Sequence, residues 1–478
     1  MRCGDRIMAN VLLVGGGICG LGAALLLARD GHEVTVVERD ADPVPDSPQE
    51  AWDAWTRKGV AQFRQPHNLM PGLRLILEGE LPDLQDALLR AGASKLDMLR
   101  PLPPFFADQT PREVDDKLWT YTARRPAAEW VFADAARNEP RVTIRRGIQA
   151  AGLLTGPSAA DRTPHVVGVR TTSGDELRAD VVIDAMGRRS KIVEWLAAIG
   201  GRPPYEEQAD CGFTYYTRYF DGTEPQRIGP VFMPLGTMAI LTLPGDNGTW
   251  SITIVTASDD GPLKSLRHAD KWTNAVRACP LQAHWLDGEP ITDVLAMGGL
   301  VDRYRRFVLD GSPVATGLLS VADSWACTNP SAGRGLTVGF MHAVRLRDVL
   351  RGARDDPRAL AEAFHDVTEA EIAPWYHSQV AGDRVRLAQI SALREGREPP
   401  PPGDELSRML VSLFGTMVAD ADLFRAGLEY VATLTPIQQL FQRPAVAQGV
   451  RAALEEMRDS APMQLPGPDR QQLLALVA

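Results

Sequence analysis

Two hydrophobic periods alternate along this chain. Val11–Val14 form an unbroken apolar run that stops at Gly15-Gly16-Gly17; leucines and alanines then recur at helical spacing, and Glu33–Val37 returns to a strand-like run. The pattern predicts a strand over Asn10–Val14, a helix from about Ile18 to Arg29 closed by Gly31, and a second strand over Glu33–Val37. A loop rich in proline and acid follows (Pro43, Pro45, Asp46, Pro48), and helical spacing resumes beyond Pro71. A proline-dense stretch at Pro101–Pro104 leads to a helix from about Pro126 to Arg137 and a strand over Val142–Arg145. A hairpin turned at Ser173–Gly174 and a strand over Asp180–Asp184 close this first block.

From about Cys211 the period shortens to two. "CGFTYYTRYF", "MAILTLP" and "TWSITIVTA" read as long strands, the last two joined by the hairpin signal Gly245-Asp246-Asn247-Gly248. Alternation puts Phe213, Tyr215, Thr217 and Tyr219 on one face of the first strand and Thr214, Tyr216, Arg218 and Phe220 on the other. The α/β style returns near Gly298, with a helix starting near Gly335, and the chain past Arg351 is helical, broken by "EPPPPGD" at Glu398–Asp404. The fold class is therefore α/β. Residues 10–205 and 298–390 form two parts of one Rossmann-type domain, 206–297 an inserted mixed β-sheet domain for substrate, and 403–478 a C-terminal helical region.

Net charge narrows the partners. At −10 the chain has no basic stripe to offset repulsion of a polyanion, which excludes nucleic acid. The short basic pieces Arg303–Arg306 and Arg145–Arg146 alternate with apolar residues and read as solvated strand faces. Five scattered cysteines (Cys3, Cys19, Cys211, Cys279, Cys327) read as free thiols in a reducing, cytoplasmic setting, with no disulfide frame and no metal site. No apolar run approaches the roughly eighteen residues of a membrane span. "MRCGDRIMAN" lacks the apolar core of a secretion signal, and Met8 offers an alternative start.

The chemistry begins at Gly15, Gly17 and Gly20, which have the G-x-G-x-x-G spacing directly after a strand and at the opening of a helix. The first glycine allows the tight turn, the second admits a pyrophosphate to the backbone, and the third lets helix and strand pack closely. The helix-terminal N–H groups of Gly16, Ile18 and Cys19 attract the phosphates, with Cys19 itself a small packed residue. Glu38 ends the second strand, where it can accept from a ribose hydroxyl and would repel a 2′-phosphate. About three hundred residues later comes "VADSWACTNPSAGRGLTVG". A nicotinamide alone has no use for a second glycine-rich helix start so far away; a flavin does. Asp323 can bind a ribityl hydroxyl, and the N–H groups of Leu336 and Thr337 can stabilise negative charge at the flavin ring edge.

"GGGICGLGAALLLARDGHEVTVVER", "ARRPAAEW" and "ADSWACTNPSAGRG" together resemble the FAD-dependent oxidoreductases of the aromatic-hydroxylase type, the group A flavoprotein monooxygenases, with flavin halogenases and geranylgeranyl-reductase-like enzymes as relatives. The resemblance covers roughly residues 10–390 and implies a glutathione-reductase-like FAD domain. By it, Glu38 and Arg39 meet the adenosine ribose, and Arg125, with Arg124 as rival, lies near the phosphates. Asp323 matches the family's Gly-Asp motif with Ala322 in place of the glycine, and Pro330, Gly333 and Gly335 lead into the ring-edge helix. Gln62, Arg64 and His67 line the cofactor cleft, although a histidine that only bonds its own loop is an equal reading of His67. One departure stands out: in "DAMGRRSKI" Met186 replaces the Asp of the family's "GADGxxS" stretch, which puts direct reduction by NAD(P)H in doubt and brings in an external flavin reductase.

The function implied is an FAD-dependent monooxygenase, hydroxylating or epoxidising an apolar, aromatic or polyketide-like small molecule with O2, in secondary metabolism. No Ser/His/Asp or metal constellation is present or required, because the cofactor carries the hard step. Catalytic residues are not identified; Tyr215 and Tyr216 are the candidates for touching substrate. A redox-neutral cyclase with structural FAD and a reductase of the geranylgeranyl-reductase kind are the rivals.

Overall fold

The computed structural model describes residues 8–157, 163–353, 356–458 and 465–478, so Cys3 lies outside the described residues. The elements that matter for the site are, in chain order, β1 (Asn10–Val14), α1 (Ile18–Arg29), β2 (Glu33–Glu38), β3 (Trp119–Arg124), α2 (Arg125–Arg137), β4 (Val142–Arg146), β5 (Val181–Asp184) and β6 (Phe213–Asp221). They continue with β7 (Met238–Pro244), β8 (Thr249–Ala257), α3 (Ala269–Arg277), β9 (Val301–Arg306), β10 (Leu318–Ser320), α4 (Gly335–Ala353), α5 (Ala373–Glu395) and α6 (Ala421–Val431).

Five of these strands form a parallel sheet in the order β10-β5-β1-β2-β4. Its outermost strand, β10, arrives only after the inserted region, so the sheet is completed by a late piece of chain. β1 shows why the apolar run was unbroken. Val11 and Leu13 face the core under α1 and α4, while Leu12 and Val14 face the opposite layer with Trp195 and Leu196. A parallel strand covered on both faces has no polar side to alternate with. Burying each such valine or leucine contributes roughly 1.5–3 kcal/mol.

α1 and α4 approach closely because each offers a glycine to the other. A Cβ on Gly22 would sit 2.2 Å from the Phe340 ring, and one on Gly339 would sit 2.6 Å from Cys19 Sγ. The Cys19 thiol, pushed up to about 12 mainly by burial, is a packing group as expected.

The inserted antiparallel sheet runs through β7, β8 and β6, the hairpin turning at Asn247 and Gly248 in the left-handed region. Both faces of β6 are covered. Tyr216 and Phe220 pack with Trp250 and with Trp272 of α3, and the C-terminal residues Leu473 and Val477 complete that layer. Phe213 and Tyr215 turn the other way, toward Ile390 on α5. The helices beyond residue 403 pack through Leu410, Leu413 and Tyr430 against Trp375 and Ala381 of α5. Among the described residues no helix is long and apolar enough to cross a membrane.

Candidate functional site

The three motif glycines do different things. Gly15 has φ +117°, donates its N–H to Val37 O at 2.9 Å, and has Ala185 O only 2.3 Å from where a Cβ would be. A Cβ on Gly20 would fall 2.2 Å from Gly15 O. Both serve the turn itself. Gly17 has nothing within 4 Å of its Cβ position and lines the cleft, so its backbone is the face left open to a ligand.

Glu38 is tied into this turn. Its Oε2 accepts from Gly16 N–H at 2.9 Å and its Oε1 from Asp40 N–H at 2.9 Å. Arg57, which is fully buried and carried no sequence signal, joins the acids: it pairs with Glu38 at 2.8 Å, Asp40 at 3.2 Å and Glu129 at 2.8 Å, and donates to Gly16 O. Glu38 still lines the cleft, and a carboxylate has lone pairs beyond those used here. A Cβ on Gly16 would fall 3.1 Å from the Glu38 carboxylate, and Gly16 does not line the cleft. Arg39 does, lying over Gly59.

One continuous cleft of about 600 Å³ connects the two halves of the site. It runs from Gly15, Gly17, Ile18, Cys19 and Gly20 to Asp323, Pro330, Gly333, Gly335 and Leu336. Gly335 opens α4 with nothing within 4 Å of its Cβ position, a second bare stretch of backbone at a helix N-terminus. Ala322, standing where the family has glycine, still adopts φ +52°, the left-handed backbone a glycine would take freely. Thr337 is a correction: it is wholly buried, its methyl group turned toward Gly72, and it does not line the cleft. Its N–H belongs to a helix whose first turn faces the cleft through Gly335 and Leu336.

Arg125 lines the cleft; Arg124 does not, being locked on buried Asp246 by bonds of 2.9 and 2.6 Å. Arg125 donates to His67 Nε2 at 3.1 Å and pairs with Glu129 at 2.9 Å. That fixes the His67 tautomer, because Nδ1 must then carry the proton it shares with Gln65 O at 2.9 Å. Burial, with the Arg125 charge beside it, holds His67 down to about 3, so it stays neutral. His67 therefore bonds its own loop and also orients Arg125. Gln62 lines the cleft with it. Arg64 is a second correction: its guanidinium lies over the Trp52 ring at 4.8 Å and donates to Trp52 O, outside the cleft. A flat cation on an indole face satisfies it there.

The turn at Met186 has a carboxylate two residues earlier. Asp184, wholly buried at the end of β5, accepts from Ser190 Oγ at 2.5 Å and from Met186 N–H at 3.0 Å. Burial raises its pKa. Met186 itself lines the cleft, and Gly187 N–H donates to Ser324 Oγ at 2.7 Å. Arg303 and Arg305 on β9 are a third correction, for neither is solvated. Arg303 donates to Arg188 O at 2.9 Å and Asp323 O at 3.1 Å, Arg305 to Ser324 O at 2.9 Å, so β9 staples the Gly187 and Asp323 loops together. The strand is paired on both edges, by Tyr205–Asp210 and Ala326–Cys327, and Arg303 and Arg305 share its buried face. Arg188 completes the staple with an ion pair to Asp323 at 3.3 Å.

The inserted sheet meets this site through one face of β6. Tyr215 OH donates to Asn329 Oδ1, Thr217 Oγ1 to Gln65 Oε1 at 2.7 Å, and Tyr219 packs edge-on against Trp52. The face carrying Tyr216 is turned away. Tyr215 is wholly enclosed, its hydroxyl committed to Asn329 and its pKa raised by burial.

Comparison with known proteins points to the same fold. Residues 13–62 match the NAD(P)-binding Rossmann-like domain model. The chain is similar to the protein Rv3254 of Mycobacterium tuberculosis, 25% identical over 94% of this chain and 96% of that one. It is also similar to kynurenine 3-monooxygenase of Xanthomonas campestris, 24% identical over 74% of each. Among solved structures, the probable FAD-dependent monooxygenase PqsL from Pseudomonas aeruginosa superposes with TM-score 0.57 at 16% identity, covering 81% of this chain and 100% of that one. The Diels-Alderase PyrE3 of pyrroindomycin biosynthesis superposes with TM-score 0.58 at 17% identity, covering 89% and 80%. At these identities the structural likeness is one of fold.

Proposed function

We propose that this chain, whose fold is that of the FAD-dependent monooxygenases, binds FAD and transfers one oxygen atom to an apolar, aromatic or polyketide-like small molecule in secondary metabolism. The observation that carries the reading is the single cleft joining the bare backbone at Gly17 to the bare backbone at Gly335. An extended dinucleotide, its diphosphate in the middle and its flavin ring at one end, would suit both helix starts. When bound, the flavin supplies the electron storage and oxygen activation that no side chain here provides. The chain's residues do the rest. The first turn of α1 and Arg125 would hold the diphosphate, His67 keeps Arg125 aimed, and Asp323, paired with Arg188, would take a ribityl hydroxyl. The N–H groups at the start of α4 would stabilise charge at the ring edge, and Tyr215 of β6 holds Asn329 at the cleft wall.

Met186 favours one second reading. With no carboxylate at that position, the pocket also suits a redox-neutral cyclisation with FAD as scaffold, and a Diels-Alderase shares this fold. One experiment separates them. The purified protein, loaded with FAD, is mixed anaerobically with NADH or NADPH and the yellow band followed; oxygen and candidate substrates are then added. Bleaching, or bleaching only with an added flavin reductase, followed by a product one oxygen heavier supports the monooxygenase. Turnover unchanged without oxygen or reductant overturns it in favour of the cyclase, and peroxide in full yield with no oxygenated product from any candidate counts against it.

A further inference from the structure

Behind the loop that leads into α4 lies a buried polar cluster the proposed chemistry does not use. Asn329, 2% exposed and lining the cleft, is its centre. Its Oδ1 accepts from Tyr215 OH and from Ser331 N–H at 2.9 Å, and its Nδ2 donates to Asp383 Oδ1 at 3.0 Å. Gln379, one turn earlier on α5 and also lining the cleft, donates to the same Asp383 oxygen at 3.0 Å. Asp383 Oδ2 is buried with no hydrogen-bond partner among the described residues.

We propose that Asp383 is a positioning residue: through Asn329 it pins the loop Asn329–Gly333 and so sets how the start of α4 faces the cleft. The inference deepens the FAD reading, since that helix start is where the ring edge would lie. The charged and titratable groups around Asp383 are Asp302 of β9, Arg334 at the helix start, Tyr215 of β6 and Cys211. Burial, reinforced by Asp302, raises Asp383 to about 7, against the opposing pull of Gln379, Asn329 and Arg334. Asp302, whose Oδ1 is likewise buried without a partner, is raised by burial to about 6. The neutral carboxyl accepts both amide bonds through Oδ1 and fits the closed packing. Above about pH 7 the same packing must hold an anion with one unsatisfied oxygen, which favours opening of the loop.

The test is amide hydrogen exchange of segment 326–337 in the full chain, for wild type, D383N and D383A, at pH 6 and 8.5, with and without FAD. D383N copies the neutral carboxyl. Wild type and D383N should match at pH 6; at pH 8.5 the wild-type segment should exchange at least about fivefold faster than D383N. D383A should be fast at both. FAD affinity of wild type relative to D383N should fall over the same interval. Equal exchange in wild type and D383N at both pH values overturns the proposal. So does faster exchange in D383A that is spread equally over strands 11–14 and 181–184, which would make Asp383 a fold residue. Failure of all three proteins to bind FAD ends the cofactor reading, while the FAD-free exchange still decides the loop.

Discussion

Gly17 and Gly20 stand three residues apart under opposite constraints, and substitution separates what the motif spacing joins. A side chain at Gly20 meets Gly15 O at 2.2 Å, whereas one at Gly17 meets only the cleft. Gly20→Ala is expected to lower unfolding free energy by about 1–3 kcal/mol in urea titration, since backbone must move to make room. Gly17→Val should unfold within about 1 kcal/mol of wild type yet lose its bound FAD on gel filtration. Equal retention of FAD by Gly17→Val would remove the phosphate role from this turn. The motif named these glycines because its spacing reports strand, turn and helix in register. Arg57 was not legible, because its importance comes from three acids at 38, 40 and 129 that only the folded chain brings around it. Replacing it with methionine leaves Glu38 and Asp40 without that cation, Glu129 keeping Arg125, and a loss on the order of 3 kcal/mol is expected in the same titration.

At the level of elements, periodicity worked where one face or both were apolar for a single reason. β1 and α1 were read to the residue, and the Gly-Asp-Asn-Gly hairpin placed β7 beside β8. Which face of β6 meets the cofactor region was not legible, since both faces carry aromatics and alternation alone gives no direction. β9 misled in a different way. "RYRR" alternates like a solvated strand face, but Arg303 and Arg305 are buried and donate to backbone carbonyls. This yields a prediction at the element scale. Arg303→Met removes the donor to Arg188 O and Asp323 O, so the Gly187 and Asp323 loops should separate. FAD affinity is expected to fall about tenfold, the equivalent of one charge-assisted hydrogen bond, with faster proteolysis near residues 187–191 and 323–328. Unchanged affinity would mean the two loops hold their places without the staple.

On the scale of the whole molecule, the site is assembled from segments three hundred residues apart, and the two glycine-rich helix starts were enough to anticipate that. The placing of the C-terminal helices was not, because their apolar stripes fit a pocket cap and a dimer face equally well. They cover α5, the helix that carries Asp383, and through Leu473 and Val477 the outer face of the inserted sheet. Its burial makes Asp383 a term in global stability as well as a local device. A carboxyl at 3.8 in the unfolded chain and about 7 in the fold binds its proton more tightly when folded. Its contribution is therefore complete below about pH 4 and is lost as pH rises to about 7, with no further change above. Measured as the difference between wild type and D383N in urea unfolding at pH 5, 6, 7 and 8, the wild type should lose ground steadily up to pH 7 and then level off. The full span from pH 4 is on the order of 4 kcal/mol. Asp302, raised by burial to about 6, is present in both proteins, so its own titration largely cancels in the difference. A difference that stays flat from pH 5 to 8 would mean that the carboxyl is already ionised and hydrated in the folded protein, and that the packing around Asn329 and Gln379 does not exclude water from it.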